Sequence, residues 1–478
     1  MKTLRTLLVF ALLQACTATQ SSKGEANFRA TAPAPSGDVS TKAPVPDKEV
    51  FANGATLLSH QKSILPLINF SLVLKSGSSN DPLGQSGLAG ISAELLRTGT
   101  KTRSAKEINE AIEFAGTSLS VSVDKETTTL SFSCLKENFA SVLEVVAEII
   151  LQPSFSKKEL ERLRAQRLGS LAQALDNPKA LVGRVFRRHL FAQHPYVSSS
   201  LGDASALKKF TVKDIKNFYQ KWYRPNLAGL ILVGDIDAQN LDRVRQTFAG
   251  WKANKLVALS PEKPQNPEVK RILVDRSGAP QSALRIGHLG VERSHPDFYN
   301  ILMCNMILGG LFNSRINMNL REDKGYTYGA RTYFDFLSQS GSFFAATSVR
   351  TDATAASVNE IFLEIATMHR KGIKAEELEH ARNAYTLSFP GYFQTLGGIA
   401  QMFGKIFGHA LPVVYYRTLP EKINTVQVED VNRVAREQLK PENLSTVIVG
   451  DKEKILEGLE SLGRGAFEIR SFEQASSG

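Results

Sequence analysis

The chain has 478 residues, 42% hydrophobic and 22% charged, which is too apolar for intrinsic disorder and long enough for two or three domains. Lys and Arg (58) outnumber Asp and Glu (47) for a net charge of +11, but no basic run of the kind that follows a phosphate backbone occurs, which argues against a nucleic-acid partner. Three cysteines, Cys16, Cys134 and Cys304, cannot build a disulfide framework, and their spacing matches no zinc ribbon or finger.

Lys2 and Arg5 precede the apolar run Leu7-Leu8-Val9-Phe10-Ala11-Leu12-Leu13. That run falls short of the roughly 20 residues of a membrane span and suits a secretory signal. It closes on Leu13-Gln14-Ala15-Cys16, which resembles the lipobox of bacterial lipoproteins. Residues 1–15 are then a signal peptide, and Cys16 is acylated as the mature N-terminus. Acyl chains at about 0.8 kcal/mol per buried CH2 anchor such a chain to a membrane. A plain signal peptide cleaved near Ala15 or Ala18 is the alternative. Thr17 after the cysteine resembles the default sorting signal for the outer membrane, so the expectation is an exported, lipid-anchored protein facing the periplasm. Residues 16–48, dominated by Ser, Thr, Ala, Pro and Gly, carry too few large apolar side chains to offset ordering entropy and read as a tether.

Beyond the tether, a short strand is expected at 56–58 and a longer one at 66–74. Helices follow at 87–97 and at 105–115, the second begun by Ser104 as N-cap. Residues 118–123 and 127–134 alternate apolar and polar residues around Asp124-Lys125-Glu126, the pattern of a hairpin. Long helices are expected at 139–151 and 157–175. Sheets with helices on one side, an α+β arrangement, are the natural packing for this order. Cys134 on a hairpin strand and Cys304 in an apolar helix read as buried thiols.

Self-similarity sets the architecture. Residues 212–235 (VKDIKNFYQKWYRPNLAGLILVGD) align without a gap with 428–451 (VEDVNRVAREQLKPENLSTVIVGD), pairing Asp214 with Asp430, Pro225 with Pro441 and Gly234 with Gly450. Each copy reads as an amphipathic helix, a proline break and a buried apolar strand. A second match pairs 158–164 with 376–382 in the same order. Duplication therefore divides the body into two homologous α/β domains, 49–253 and 268–470, joined by a linker at 254–267 and followed by a tail at 471–478.

The stretch Gly77-Ser78-Ser79-Asn80-Asp81-Pro82-Leu83-Gly84-Gln85-Ser86-Gly87-Leu88-Ala89, with Leu95-Leu96-Arg97-Thr98-Gly99-Thr100 and His194-Pro195-Tyr196, resembles the insulinase and pitrilysin family of inverzincin metallopeptidases. The resemblance spans both domains and implies a clamshell of two α/β sandwiches. Active members carry H-x-x-E-H on the first of these helices, because residues four apart present two imidazoles to one zinc. Here those positions read Gly90, Ile91, Ser92, Ala93 and Glu94. The family's third ligand, a glutamate, would fall near Ser170 or Leu171, and residues 162–176 (RLRAQRLGSLAQALD) contain none. One carboxylate does not hold a catalytic zinc, so this chain is expected to bind no metal. None of its histidines replaces the site.

The second domain keeps what the first has lost. Residues 308–329 (LGGLFNSRINMNLREDKGYTYG) resemble the family's second-domain motif, in which Arg321 and Tyr328 would hold substrate and donate hydrogen bonds to the oxyanion. A helix ending at Lys324-Gly325 would put Arg321 on its last turn, with Tyr326 and Tyr328 starting a strand on one face. Gly309, Gly310 and Tyr326 are expected substrate contacts, the glycines as a short counterpart of the glycine-rich loop of non-catalytic processing-peptidase subunits. The resemblance thus implies the non-catalytic subunit of a heterodimeric zinc endopeptidase. An H-x-x-E-H partner would hold the zinc, and peptides or unfolded segments would be the substrate. A non-proteolytic scaffold or peptide-binding protein of the cell envelope is the alternative.

Overall fold

The computed structural model describes residues 42–253 and 262–477. Cys16, the signal segment, nearly all of the tether and most of the linker lie outside the described residues. The first half runs β1 (Asp47–Val50), β2 (Thr56–Gln61), β3 (Leu67–Leu74), α1 (Leu88–Leu96), α2 (Ala105–Phe114), β4 (Ser120–Val123), β5 (Thr128–Leu135), α3 (Phe139–Leu151), α4 (Lys157–Asp176), α5 (Pro178–Phe191), α6 (Val212–Trp222), β6 (Ala228–Gly234) and α7 (Ala238–Ala249). The second half runs β7 (Arg271–Asp275), β8 (Gln281–Gly290), α8 (Phe298–Asn305), β9 (Thr327–Phe336), β10 (Gly341–Arg350), α9 (Thr354–Lys371), α10 (Ala375–Ser388), α11 (Leu396–Gly408), α12 (Tyr415–Asn424), α13 (Val428–Gln438), β11 (Ser445–Gly450), α14 (Lys452–Glu460), β12 (Glu468–Arg470) and α15 (Phe472–Ser477).

Two six-stranded mixed sheets result, in the orders β1-β2-β6-β3-β5-β4 and β12-β7-β11-β8-β10-β9. The expected α+β pair of sandwiches is thereby observed. Local chemistry sets the element ends. Ser104 and Glu107 form a capping box at α2, and Thr211 and Asp214 form one at α6. Pro225 and Pro441 open matching 3-10 turns that stop α6 and α13 and lead into β6 and β11.

Strand β6 is buried along its whole length, so both of its faces are covered. Phe70, Leu72, Leu230 and Leu232 pack under the helices of their own half. Val73, Ile231 and Val233, on the opposite face, pack with Ile399, Met402, Phe403 and Ile406 of α11, a helix of the second half. The contact is close enough that a Cβ on Gly229 would stand 2.5 Å from the Phe407 ring. The exchange is reciprocal. Leu181, Val182, Val185 and Phe186 of α5 pack with Ile272, Val274, Ala283, Val447 and Val449 of the second sheet. Helices on one side alone, the expectation, thus give way to helices on both sides, the second side being covered by the other half.

The margins also differ from the expectation. Ala43 is 1% exposed within the core and Asp47 already belongs to β1, so the body begins inside the expected tether. At the other end, 472–477 form a helix rather than an extended tail. Phe472 lies 5.5 Å from the Arg276 guanidinium and Ala475 is buried against α5, which gives the segment an apolar face to bury. Cys134 and Cys304 are buried free thiols. No helix among the described residues is long and apolar enough to cross a membrane.

The helix exchange makes stability common to both halves. Phe403→Ala, in the second half, should lower global stability by about 3–5 kcal/mol. Both tryptophans, Trp222 and Trp251, lie in the first half, so urea unfolding followed by their fluorescence should shift together with circular dichroism. An unshifted fluorescence midpoint would show the halves to be uncoupled.

Candidate functional site

Helix α1 carries the positions where an active zinc site would lie. Its start is fixed by Asp81, which accepts from the Gly87 N–H at 2.8 Å, the Ala89 N–H at 2.7 Å and the Ser198 hydroxyl at 2.6 Å. Burial pushes the Asp81 carboxyl up to about 7 against the opposing pull of these donors. Gly87, at φ +100, makes the turn that a Cβ would strain.

From this start α1 presents Gly90, Ala93 and Glu94 to α4. Arg167 Nε donates to Glu94 Oε2 at 2.8 Å, and its Nη1 donates to the Ser200 carbonyl at 2.6 Å. The Arg167 residue is 7% exposed. A Cβ on Gly90 would stand 2.0 Å from the Ser200 oxygen and 2.9 Å from the Arg167 guanidinium, so the space over Gly90 is already filled. A small cleft of about 220 Å³ remains, with Ser170, near the third-ligand position, in its wall. The zinc of active family members does not fit here. A glycine and an alanine offer no donor, the one carboxylate is satisfied by a cation, and no group of three or more metal-ligating side chains is gathered among the described residues. Arg167 is the residue that a search for a missing glutamate passes over. Its signal is positional: it falls on the buried stripe Leu160, Leu163, Arg167, Leu171 of α4, where an aliphatic residue is expected.

The second-domain motif folds as two π-helical segments, Met306–Gly310 and Met318–Asp323, before β9. Arg321 sits in the last turn, which closes at Gly325 with φ +64. Its guanidinium lies 4.6 Å from the Phe312 ring centroid and 3.2 Å from Glu322 Oε1. Tyr328 is 90% exposed, whereas Tyr326 is half-buried against the core of its own half. The expectation that these tyrosines share a face is corrected by a bulge. Thr347 pairs with Ala330 but Val349 with Thr327, so β9 carries one residue more than β10, and the alternation breaks at 328–329. Gly309 allows close approach to β9, since a Cβ there would meet Thr332 N at 2.4 Å, and the Gly310 carbonyl accepts from Arg331 Nη1 at 2.7 Å. Arg321 and Tyr328 line neither described cavity and face outward.

Several of the histidines have structural partners. His189 bonds Ser445 Oγ at 2.8 Å, and His194 Nδ1 accepts from the Tyr196 N–H at 3.1 Å. His288 accepts from the Lys440 N–H at 3.3 Å, and burial pulls it down to about 4. Tyr196 ties the β4–β5 turn to the β9–β10 turn, because its hydroxyl donates to Glu126 at 2.6 Å and accepts from the Gln339 N–H at 3.1 Å.

Comparison with known proteins agrees with this geometry. The family profile described as "Insulinase (Peptidase family M16)" matches residues 58–204, and that described as "Peptidase M16 inactive domain" matches 209–385. The uncharacterized zinc protease YmxG of Bacillus subtilis (strain 168) is 24% identical over 388 residues, covering 80% of this chain and 93% of its own. The non-peptidase homolog YmxG of Helicobacter pylori (strain ATCC 700392 / 26695) is 23% identical over 412 residues, covering 85% of this chain and 94% of its own. The solved peptidase M16 inactive domain from Pseudomonas fluorescens superposes with a TM-score of 0.80 at 24% identity, over 85% of this chain and 98% of that one.

The closed site makes two outcomes measurable. Gly90→His, forced against the Ser200 carbonyl, should cost about 3 kcal/mol in urea unfolding. The raised Asp81 carboxyl keeps its proton when folded and has lost it when unfolded, between roughly pH 4 and 7. Its contribution to stability is therefore full below pH 4 and is lost as pH rises through about 7. Urea midpoints across that window should fall less steeply with pH in Asp81→Asn than in the parent.

Proposed function

The chain belongs to the insulinase family, M16, and we propose that it is a non-catalytic subunit completing the active site of a zinc-bearing family partner. It is not a catalytic peptidase on its own: the zinc-ligand positions read Gly90 and Glu94, the general-base position reads Ala93, and Arg167 closes the space between their helices. One observation carries the reading. Arg321 lies partly exposed against the exposed Phe312 ring, and Tyr328, seven residues on, is thrust outward by a bulge on the edge strand β9. A half-site pointing away from its own chain suits chemistry completed across an interface.

In this reading Arg321 holds the substrate and Tyr328 donates to the oxyanion at the scissile carbonyl, where positioned donors are most effective. Gly309, Gly310 and Tyr326 support the same surface. The substrate is a peptide or unfolded segment added as an extended strand to a sheet edge such as β9. The partner supplies the H-x-x-E-H helix and its zinc, and acylation at Cys16 holds the assembly at the periplasmic face of the outer membrane.

Purified alone, the chain should hydrolyse no peptide and retain no stoichiometric zinc. Reconstituted with an H-x-x-E-H subunit from the same genome, it should support hydrolysis of an unfolded fluorogenic substrate. Arg321→Ala and Tyr328→Phe should each lower kcat by roughly 10²–10³-fold while the complex elutes intact. Unchanged hydrolysis with both variants would defeat the reading in favour of a scaffold.

A further inference from the structure

Where the exchanged helices α5 and α11 lie between the sheets, the protein has a partly open cavity of about 1090 Å³. Among the described residues five cations line it; Arg293 donates to the Tyr415 hydroxyl and Lys405 faces Asp124, while three from separate elements, Lys125 of the β4–β5 turn, Arg187 of α5 and Arg285 of β8, act on one another. Carbonyls rather than carboxylates receive them. Lys125 donates to the Ser198 carbonyl, and Arg187 Nε donates to the Val197 carbonyl at 3.2 Å. The Nε–H of Arg285 is buried with no hydrogen-bond partner.

The carboxylates of the wall do not balance these charges. Glu126 is held by the Tyr196 and Ser338 hydroxyls, and Asp124 acts on Lys405. Asp335 of the wall faces Lys125 and Arg285. Behind the wall Asp81 acts on Lys125 and Asp203 on Arg187, but Asp203 is already paired with Arg184 at 2.6 Å and Arg188 at 3.1 Å. Burial first, and then the neighbouring cations, pull Lys125 down to about 7 and Arg187 to about 10. Cations gathered away from bulk water in excess of the carboxylates beside them are costly, and an anion that enters relieves the cost.

The geometry is also built for such a visitor. Gly183 on α5 leaves room for the Arg285 guanidinium, which an added Cβ would approach to 3.2 Å. Arg285 lies 4.2 Å from the centroid of Phe344 and 5.9 Å from that of Phe186. Guanidinium groups receive carboxylates through paired donors, and Phe186, Phe191 and Phe344 supply an apolar wall beside them.

We propose that this cavity binds an organic carboxylate with an apolar or aromatic body, the head held by Arg187, Arg285 and Lys125 and the body by the phenylalanine rings. A free small acid and the C-terminal end of a peptide share this chemistry. The site stands independently of the role of Arg321 and Tyr328.

Calorimetry and thermal melts of the purified protein with N-acetylphenylalanine, its amide and inorganic phosphate test the assignment. The acid should bind and raise Tm, the amide should do neither, and phosphate should bind more weakly than the acid. Competition with a decapeptide ending in a free phenylalanine carboxylate, against its C-terminal amide, separates the sources: displacement only by the free-carboxylate peptide assigns a peptide end, and no displacement assigns a small acid. Arg285→Met and Lys125→Met should each weaken acid binding by roughly 30-fold or more. At least one of them should leave Tm of the empty protein unchanged or raised, which a merely structural cation would not do. Failure of the acid to bind, equal binding of acid and amide, phosphate binding as tight as the acid, or acid binding unchanged in both variants would overturn the assignment.

Discussion

Each sheet has two apolar faces and only one set of helices of its own to cover them. That constraint organises the molecule. Central strands such as β6, with Leu230 and Leu232 on one face and Ile231 and Val233 on the other, expose a second hydrophobic surface that the first half cannot bury. The solution is reciprocal: α11 covers the first sheet and α5 covers the second. Apolar burial at about 25 cal/mol per Å² therefore binds the halves into one unit, and polar ties follow the same path. Lys62 Nζ donates to the Phe393 and Gln394 carbonyls at 3.1 Å, and Arg276 pairs with Asp176 at 2.6 Å. The large cavity is a consequence, since two sheets held apart by crossing helices do not close completely.

Replacement of a metal by a side chain is the second organising fact. Zinc in an active relative draws two helices together by ligating both. Here Arg167 on α4 reaches Glu94 on α1 and the Ser200 carbonyl beyond it. A cation still stands between the helices, but it is covalently attached and coordinatively inert. Glu94 keeps 43% of its side-chain surface in solvent against 8% for Arg167, so the pair is a partly screened one and its contribution is positional more than energetic. The first half is locked in this way, and on the second the bulge in β9 turns Tyr328 outward.

Much of the local structure was legible because short-range physics controls it. Ser104 caps α2, the polar turn at 124–126 joins β4 to β5, and the helix–proline–strand repeat recurs at 212–235 and 428–451. The loss of the zinc ligands was also legible, since it concerns which side chains exist. Less legible were features that depend on count or contact. One additional residue in β9 relative to β10 overturns the shared face of Tyr326 and Tyr328, and periodicity in a single strand carries no information about the length of its partner. The docking of Ala43 and of 472–477 escaped for a related reason, because short segments of modest hydrophobicity become ordered only when a groove awaits them.

The sequence by itself determined the α+β halves, the absence of histidines at the ligand positions Gly90 and Glu94 and of the glutamate at Ala93, and the presence of Arg321 and Tyr328 at the spacing of the resembling motif. Residue identity and local periodicity are properties of the chain alone. The unbroken apolar run Leu230-Ile231-Leu232-Val233 marked β6 as a buried strand, though not that both of its faces are covered. Only the tertiary structure decided that a helix from the other half provides the cover, that Arg167 fills the vacated site, and that Lys125, Arg187 and Arg285 converge on one cavity. Those are meetings of residues distant in sequence, and non-directional burial fixes that a surface is covered without naming what covers it.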